Sequence, residues 1–146
     1  MRIYLAGPLF TAAEREFNAR LAGELRRLGH EVWLPQESEQ RSMTAKEIFV
    51  TDVHGIDWAE TVVANMDGPD PDSGTSWECG YAYGKKPILV YRTDFRAADE
   101  HKEAPYNLML TESADRRLDL PFADTATVAT RIDEALRALG ARPVQA

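Results

Sequence analysis

The chain has 146 residues, 44% apolar and 28% charged, an ordinary globular balance that reads as a single domain over 1–146. Seventeen basic residues against twenty-four acidic ones leave a net charge of -7, which argues against DNA or RNA as a partner and suits a small neutral or cationic ligand. No apolar run approaches about 18 residues, so no membrane span is expected. One cysteine, Cys79, excludes an internal disulfide framework and points to a reducing, cytoplasmic compartment. His30, His54 and His101 lie too far apart to form a metal-ligand pattern, and no metal or cofactor is expected.

In chain order, Arg2 to Ala6 (RIYLA) is a short apolar run ended by Gly7-Pro8, hence a buried first strand and turn rather than a secretory leader. Thr11 with Glu14 has the form of a capping box, and Phe17, Leu21, Leu25 and Leu28 follow at helical spacing until Gly29. Glu31 to Leu34 makes a second strand closed by Pro35, and Gln36 to Ser42 reads as loop. A second capping box, Thr44 with Glu47, opens a helix through Phe49, Val50 and Val53, which Gly55 breaks or bends before Ile56 and Trp58. Thr61 to Met66 is a third strand, followed by an acidic loop and a short helix starting near Thr75. Pro87 to Tyr91 is the fourth strand, and Thr93 to Pro105 a charged, exposed excursion. Tyr106 to Leu110 fits a helix turn or a short strand, and Arg117 to Phe122 is equally ambiguous. A helix from about Thr125 to Leu139 carries Val128, Ile132, Leu136 and Leu139 on one side, and Arg142 to Ala146 forms a tail.

Strands alternating with helices predict an α/β fold: a doubly wound, mainly parallel sheet of about five strands with helices on both faces. Its crevice should lie at the carboxyl ends of the strands, where Gly7-Pro8, Asp67 to Ser73 and Arg92-Thr93 emerge.

The stretch DGPDPDSGTSWECGYAYG, Asp67 to Gly84, carries too many charges and breakers to be core, yet includes Trp77, Tyr81 and Tyr83. One reading is a solvated turn with helix caps. If the helix starts at Thr75, Glu78 falls at N3, where free N–H groups and the helix dipole would keep a carboxylate ionised. That setting suits a nucleophile and equally suits a capping-box glutamate; only an open pocket beside Glu78 separates the two. Neither a Rossmann fingerprint nor a P-loop is present. A carboxylate nucleophile with carboxylate helpers, acting on an acetal-like carbon, is the best chemical reading of the residues alone.

The chain resembles the nucleoside 2-deoxyribosyltransferase family in IYLAGPLF (Ile3 to Phe10), VVANMDG (Val62 to Gly68), DSGTSWECGYAYGKKPI (Asp72 to Ile88) and YNLML (Tyr106 to Leu110). The resemblance implies a flavodoxin-like fold and self-association as a dimer or hexamer, with active sites shared between subunits. It implies Glu78 as the nucleophile on the anomeric carbon of a 2'-deoxynucleoside, giving a deoxyribosyl ester that a free nucleobase then attacks with retained configuration. Tyr4 would position that glutamate, Asp67 exchange a proton with the base, and Asp72 hold sugar hydroxyls. Asn107 would reach the 5'-hydroxyl in a neighbouring subunit, with Met109 lining the same region. By position alone, Gly7 leaves the first strand at the crevice, and Phe10 either flanks the base or, more simply, forms a hydrophobic staple beside Thr11.

Two other activities fit the same residues. An N-glycoside hydrolase of deoxynucleosides or their monophosphates would form the same ester and let water replace the base, but the GPLF turn lacks the basic and hydroxyl groups of a phosphate cradle. A non-catalytic nucleoside-binding protein could share the fold.

Overall fold

The computed structural model describes residues 1–39, 41–95 and 105–140. Five parallel strands, β1 (Arg2–Ala6), β2 (Glu31–Trp33), β3 (Thr61–Asn65), β4 (Ile88–Arg92) and β5 (Arg116–Asp119), form one sheet in the order β2-β1-β3-β4-β5. The direction of winding reverses between β1 and β3, as in flavodoxin-like folds, and crevices open at the carboxyl ends of such strands. The ambiguous Arg117 to Phe122 segment thus supplies the fifth strand, at the sheet edge.

Side chains alternate across the sheet and sort into two cores. Ile3, Leu5, Val63 and Leu89 meet α1 (Ala12–Arg27) and the C-terminal helix α6 (Thr125–Gly140), through Leu21, Leu25, Val128, Ile132 and Leu136. On the other face Tyr4, Ala6, Val62, Ala64 and Val90 meet α3 (Ala45–Trp58) and α4 (Ser73–Ala82), through Ile56, Cys79 and Ala82. The even-numbered register of β1 therefore delivers Tyr4 beneath α3 and α4.

Both expected capping boxes form, at Thr11 with Glu14 and Thr44 with Glu47. Helix α3 runs unbroken through Gly55, and its C-terminal carbonyls at Ile56 and Ala59 accept from the Lys86 ammonium, a cation suited to that end of the dipole. Part of the expected Gln36 to Ser42 loop is instead a short helix, α2 (Pro35–Ser38), which Pro35 opens at its first position. YNLML resolves into the start of α5 (Leu108–Ser113), capped by Asn107. Residues 96–104 of the expected excursion and the Arg142 to Ala146 tail lie outside the described residues.

Candidate active site

Helix α4 begins earlier than the sequence suggests. Asp72, not Thr75, is its N-cap: Asp72 Oδ2 accepts from the Thr75 N–H at 2.9 Å and the Thr75 hydroxyl at 3.0 Å. Thr75, a buried side chain, is consumed by that cap. Glu78 consequently stands in the second turn rather than at N3, and the helix dipole does not hold it ionised.

Its surroundings act in the opposite sense. Burial pushes the Glu78 carboxyl up to about 7, assisted by the negative charges of Asp52, Asp72 and Glu39; the Tyr4 hydrogen bond pulls it part of the way back. The Tyr4 hydroxyl donates to Glu78 Oε1 at 2.7 Å from a fully buried ring, whose own pKa is raised by burial and by Glu78. Tyr4 therefore stays a neutral donor. It fixes one carboxylate oxygen from the sheet side.

The carboxylate is not sealed. Glu78 lines a cavity of about 320 Å³ between α3 and α4, with Phe49, Asp52, Val53, Gly74 and Trp77. Asp52, from α3, was not singled out in the sequence. Its carboxyl is pushed up to about 6, first by burial and then by Glu39, and its buried Oδ1 has no hydrogen-bond partner among the described residues. The only signal in the chain was its place three residues beyond Phe49 on the same face of α3, which is meaningless until α4 is docked opposite.

Of the other residues, Asp72 joins the site from the cap, with its charge felt by Glu78. Asp67 is placed elsewhere. Its carboxylate accepts from the Thr93 N–H (2.6 Å), the Thr93 hydroxyl (2.7 Å) and the Asp94 N–H (3.0 Å), knitting the loop after β3 to the loop after β4. It lines a separate cavity of about 270 Å³ with Pro8, Asn18 and Asn65.

Fully buried Arg92 reinforces the same junction, donating to the Gly68 and Pro105 carbonyls and pairing with Asp94 at 3.0 Å. Gly68, at φ +110°, makes a turn that a side chain would strain. Gly7 has a packing reason of its own: a Cβ there would meet that of Asn65 at 3.2 Å. Phe10 is 76% exposed and lines none of the described cavities; only its backbone N–H is engaged, by Glu14.

Asn107 and Met109 line the largest described cavity, about 770 Å³, with Ser73, Ser76 and Gly80 of α4 and its C-cap Tyr83. Those α4 positions form a different face from Gly74, Trp77 and Glu78. Within one chain, α4 stands between Asn107 and Glu78. Burial pushes the Cys79 thiol up to about 12, so it is an inert core group rather than a nucleophile.

The model of the nucleoside 2-deoxyribosyltransferase family matches residues 3–109, well over half of the chain. The chain belongs to that family. As a family member it is an enzyme of glycosyl transfer or cleavage at nucleosides, with a flavodoxin-like fold. A conserved protein from Enterococcus faecalis V583 is similar at 28% identity and a TM-score of 0.74, covering 92% of this chain and 98% of its own. A 2-deoxyribosyltransferase from Bacillus psychrosaccharolyticus is 29% identical with a TM-score of 0.67, over 88% and 90%. The CMP N-glycosidase BcmB of Clostridium botulinum shares the fold, with a TM-score of 0.66 at 16% identity over 92% and 99%. Comparison with curated proteins gives no match. No helix among the described residues is long and apolar enough to cross a membrane.

Proposed function

We propose that the protein moves a 2-deoxyribosyl group from a 2'-deoxynucleoside to a free nucleobase through an ester on Glu78. The observation that carries this reading is the Tyr4–Glu78 hydrogen bond at the edge of an open cavity. A capping glutamate would need neither the buried tyrosine nor the cavity.

The chemistry follows from the two raised carboxyls. Burial raises both carboxyls, Glu78 to about 7 and Asp52 to about 6, and the charge of Asp52 adds to the Glu78 shift, so between those values the two groups together hold about one proton. Because Glu78 is raised further than Asp52, the proton resides mainly on Glu78, and the Tyr4 hydrogen bond favours the minor, reactive arrangement with Glu78 ionised and the proton on Asp52. In that form Glu78 attacks C1', the N-glycosidic bond breaks, and Asp52 gives its proton to the departing base. Ionised Asp52 and Asp72 offset the positive charge that develops on the sugar ring. The acceptor base returns its proton to Asp52 as it attacks C1' and releases Glu78. Asp52 thus takes the acid role expected of Asp67, because Asp52 shares the cavity and Asp67 has both oxygens committed to loop donors.

Asp72 Oδ2 serves the cap, leaving Oδ1 for sugar hydroxyls. Asn107 and Met109, separated from their own Glu78 by α4, fit a role at the Glu78 of a neighbouring copy, which supports self-association into a dimer or hexamer. No Lys or Arg lines the Glu78 cavity among the described residues, which favours free nucleosides over monophosphates.

The decisive assay mixes a 2'-deoxynucleoside with a different free base and follows exchanged nucleoside against free sugar. Exchange should dominate at saturating acceptor. Free sugar alone would make the protein a hydrolase.

A further inference from the structure

Three tryptophans are present, and only Trp77 is a half-exposed wall of the Glu78 cavity. It belongs to a run of aromatic contacts across α3 and α4. Phe49 meets Trp77 edge-on, with centroids 5.3 Å apart and planes at 62°. Trp77 stacks on Tyr81 at 5.3 Å and 14°, and the Tyr81 hydroxyl donates to Asp57. Lys46 stands over Phe49 at 5.2 Å, and Lys85 over Tyr81 at 3.4 Å. The rings are braced, yet Phe49 remains 45% exposed and Trp77 47%. Large aromatics held rigid and left open beside a nucleophile offer a planar apolar surface to a ligand.

We infer that Phe49 and Trp77 form the surface on which the nucleobase, both leaving and entering, stacks during the reaction. The inference rests on the proposed deoxyribosyl transfer and adds the group that recognises the heterocycle. The geometry of displacement points there. The base is bonded to the carbon that Glu78 attacks and leaves from the opposite side of it. It must therefore lie across the cavity from Glu78, where α3 presents Phe49, Asp52 and Val53. Asp52 meets the base at its edge, and the rings meet its face. Gly74, on the α4 side, adds no side chain to the cavity lining.

Stacking rewards ring area and reads little else, since every base has a π-face. The surface therefore favours bicyclic purines over pyrimidines without absolute discrimination. It also explains why aromatics accompany the acids in the DSGTSWECGYAYG stretch.

The test measures KM for acceptor adenine and acceptor cytosine with one donor nucleoside, in Phe49→Leu, Phe49→Tyr, Trp77→Ala and Trp77→Phe. Phe49→Leu and Trp77→Ala should raise KM for adenine by roughly ten-fold or more and for cytosine by less. Phe49→Tyr and Trp77→Phe should retain most of the affinity. In parallel, adenine titrated into Glu78→Gln should quench the tryptophan emission that Trp77→Ala removes, which reads binding without turnover. Equal shifts for both bases, unchanged KM, or a loss that follows only a change in oligomeric state by size-exclusion would overturn the inference. Failure of the transfer reading looks different: the unmodified protein would exchange no base at all.

Discussion

Two carboxyl groups with raised pKa values, one needed ionised and one protonated, dictate how activity responds to pH. Glu78 gains charge as pH rises through about 7, and Asp52 loses its proton as pH rises through about 6. kcat/KM should follow a bell with its maximum between the two. Glu78, with the higher pKa, sets the alkaline limb; Tyr4→Phe removes the bond that lowers that pKa, so the alkaline limb should move to higher pH and the maximum should fall. Asp52→Asn should leave a single rise that follows ionisation of Glu78, at a pH somewhat below 7 because a negative neighbour is gone, with no fall at alkaline pH. A profile unchanged in Tyr4→Phe would disconnect Tyr4 from the nucleophile. The same shift has a stability cost. A carboxyl raised from 4.5 in the unfolded chain to about 7 in the folded one destabilises the fold as pH climbs between those values. Glu78→Gln should therefore raise stability at pH 8 by on the order of 2 kcal/mol and change it little at pH 4, read by thermal melting at both. Equal effects at both pH values would mean that Glu78 is not buried as charge.

At the scale of elements, Asp72 caps α4 and, in the proposed reaction, also holds sugar hydroxyls, two tasks that substitution can separate. Asn caps a helix as well as Asp does, whereas Ala costs about 1 kcal/mol. Asp72→Asn should keep the melting temperature while raising KM for the donor nucleoside; Asp72→Ala should lower both stability and affinity. Full activity in Asp72→Asn would reduce Asp72 to a cap. The elements also show what the sequence could disclose. Strands β1, β3 and β4 and the capping boxes rest on local pattern and were legible. The start of α4 was not, because Asp72 and Thr75 are both good caps and only the folded loop decides between them. Burial is equally non-local. The sequence places Glu78 near a helix start, but its desolvation and its meeting with Asp52 depend on packing α3 against α4. Likewise the three donors to the Asp67 carboxylate come from the loop after β4, far along the chain, and no local pattern discloses them.

For the whole molecule, Asn107 lies on the far side of α4 from its own Glu78, and the proposed reaction completes its site between two chains. Glu78→Gln and Asn107→Ala should each impair transfer, and mixing them under conditions of subunit exchange should restore activity, since a hybrid contains one site with both native groups. No recovery on mixing, with exchange verified, would place Asn107 outside the active site. Everything at this scale and below depends on the bond between Glu78 and the sugar. The most direct measurement is to incubate the protein with a 2-fluoro-2-deoxy nucleoside, weigh the intact chain and map the modified peptide. The fluorinated sugar should be found attached to Glu78, in the peptide that contains Trp77 and Cys79. A modified chain with Glu78 untouched, or an active enzyme that never acquires the adduct, would contradict the account.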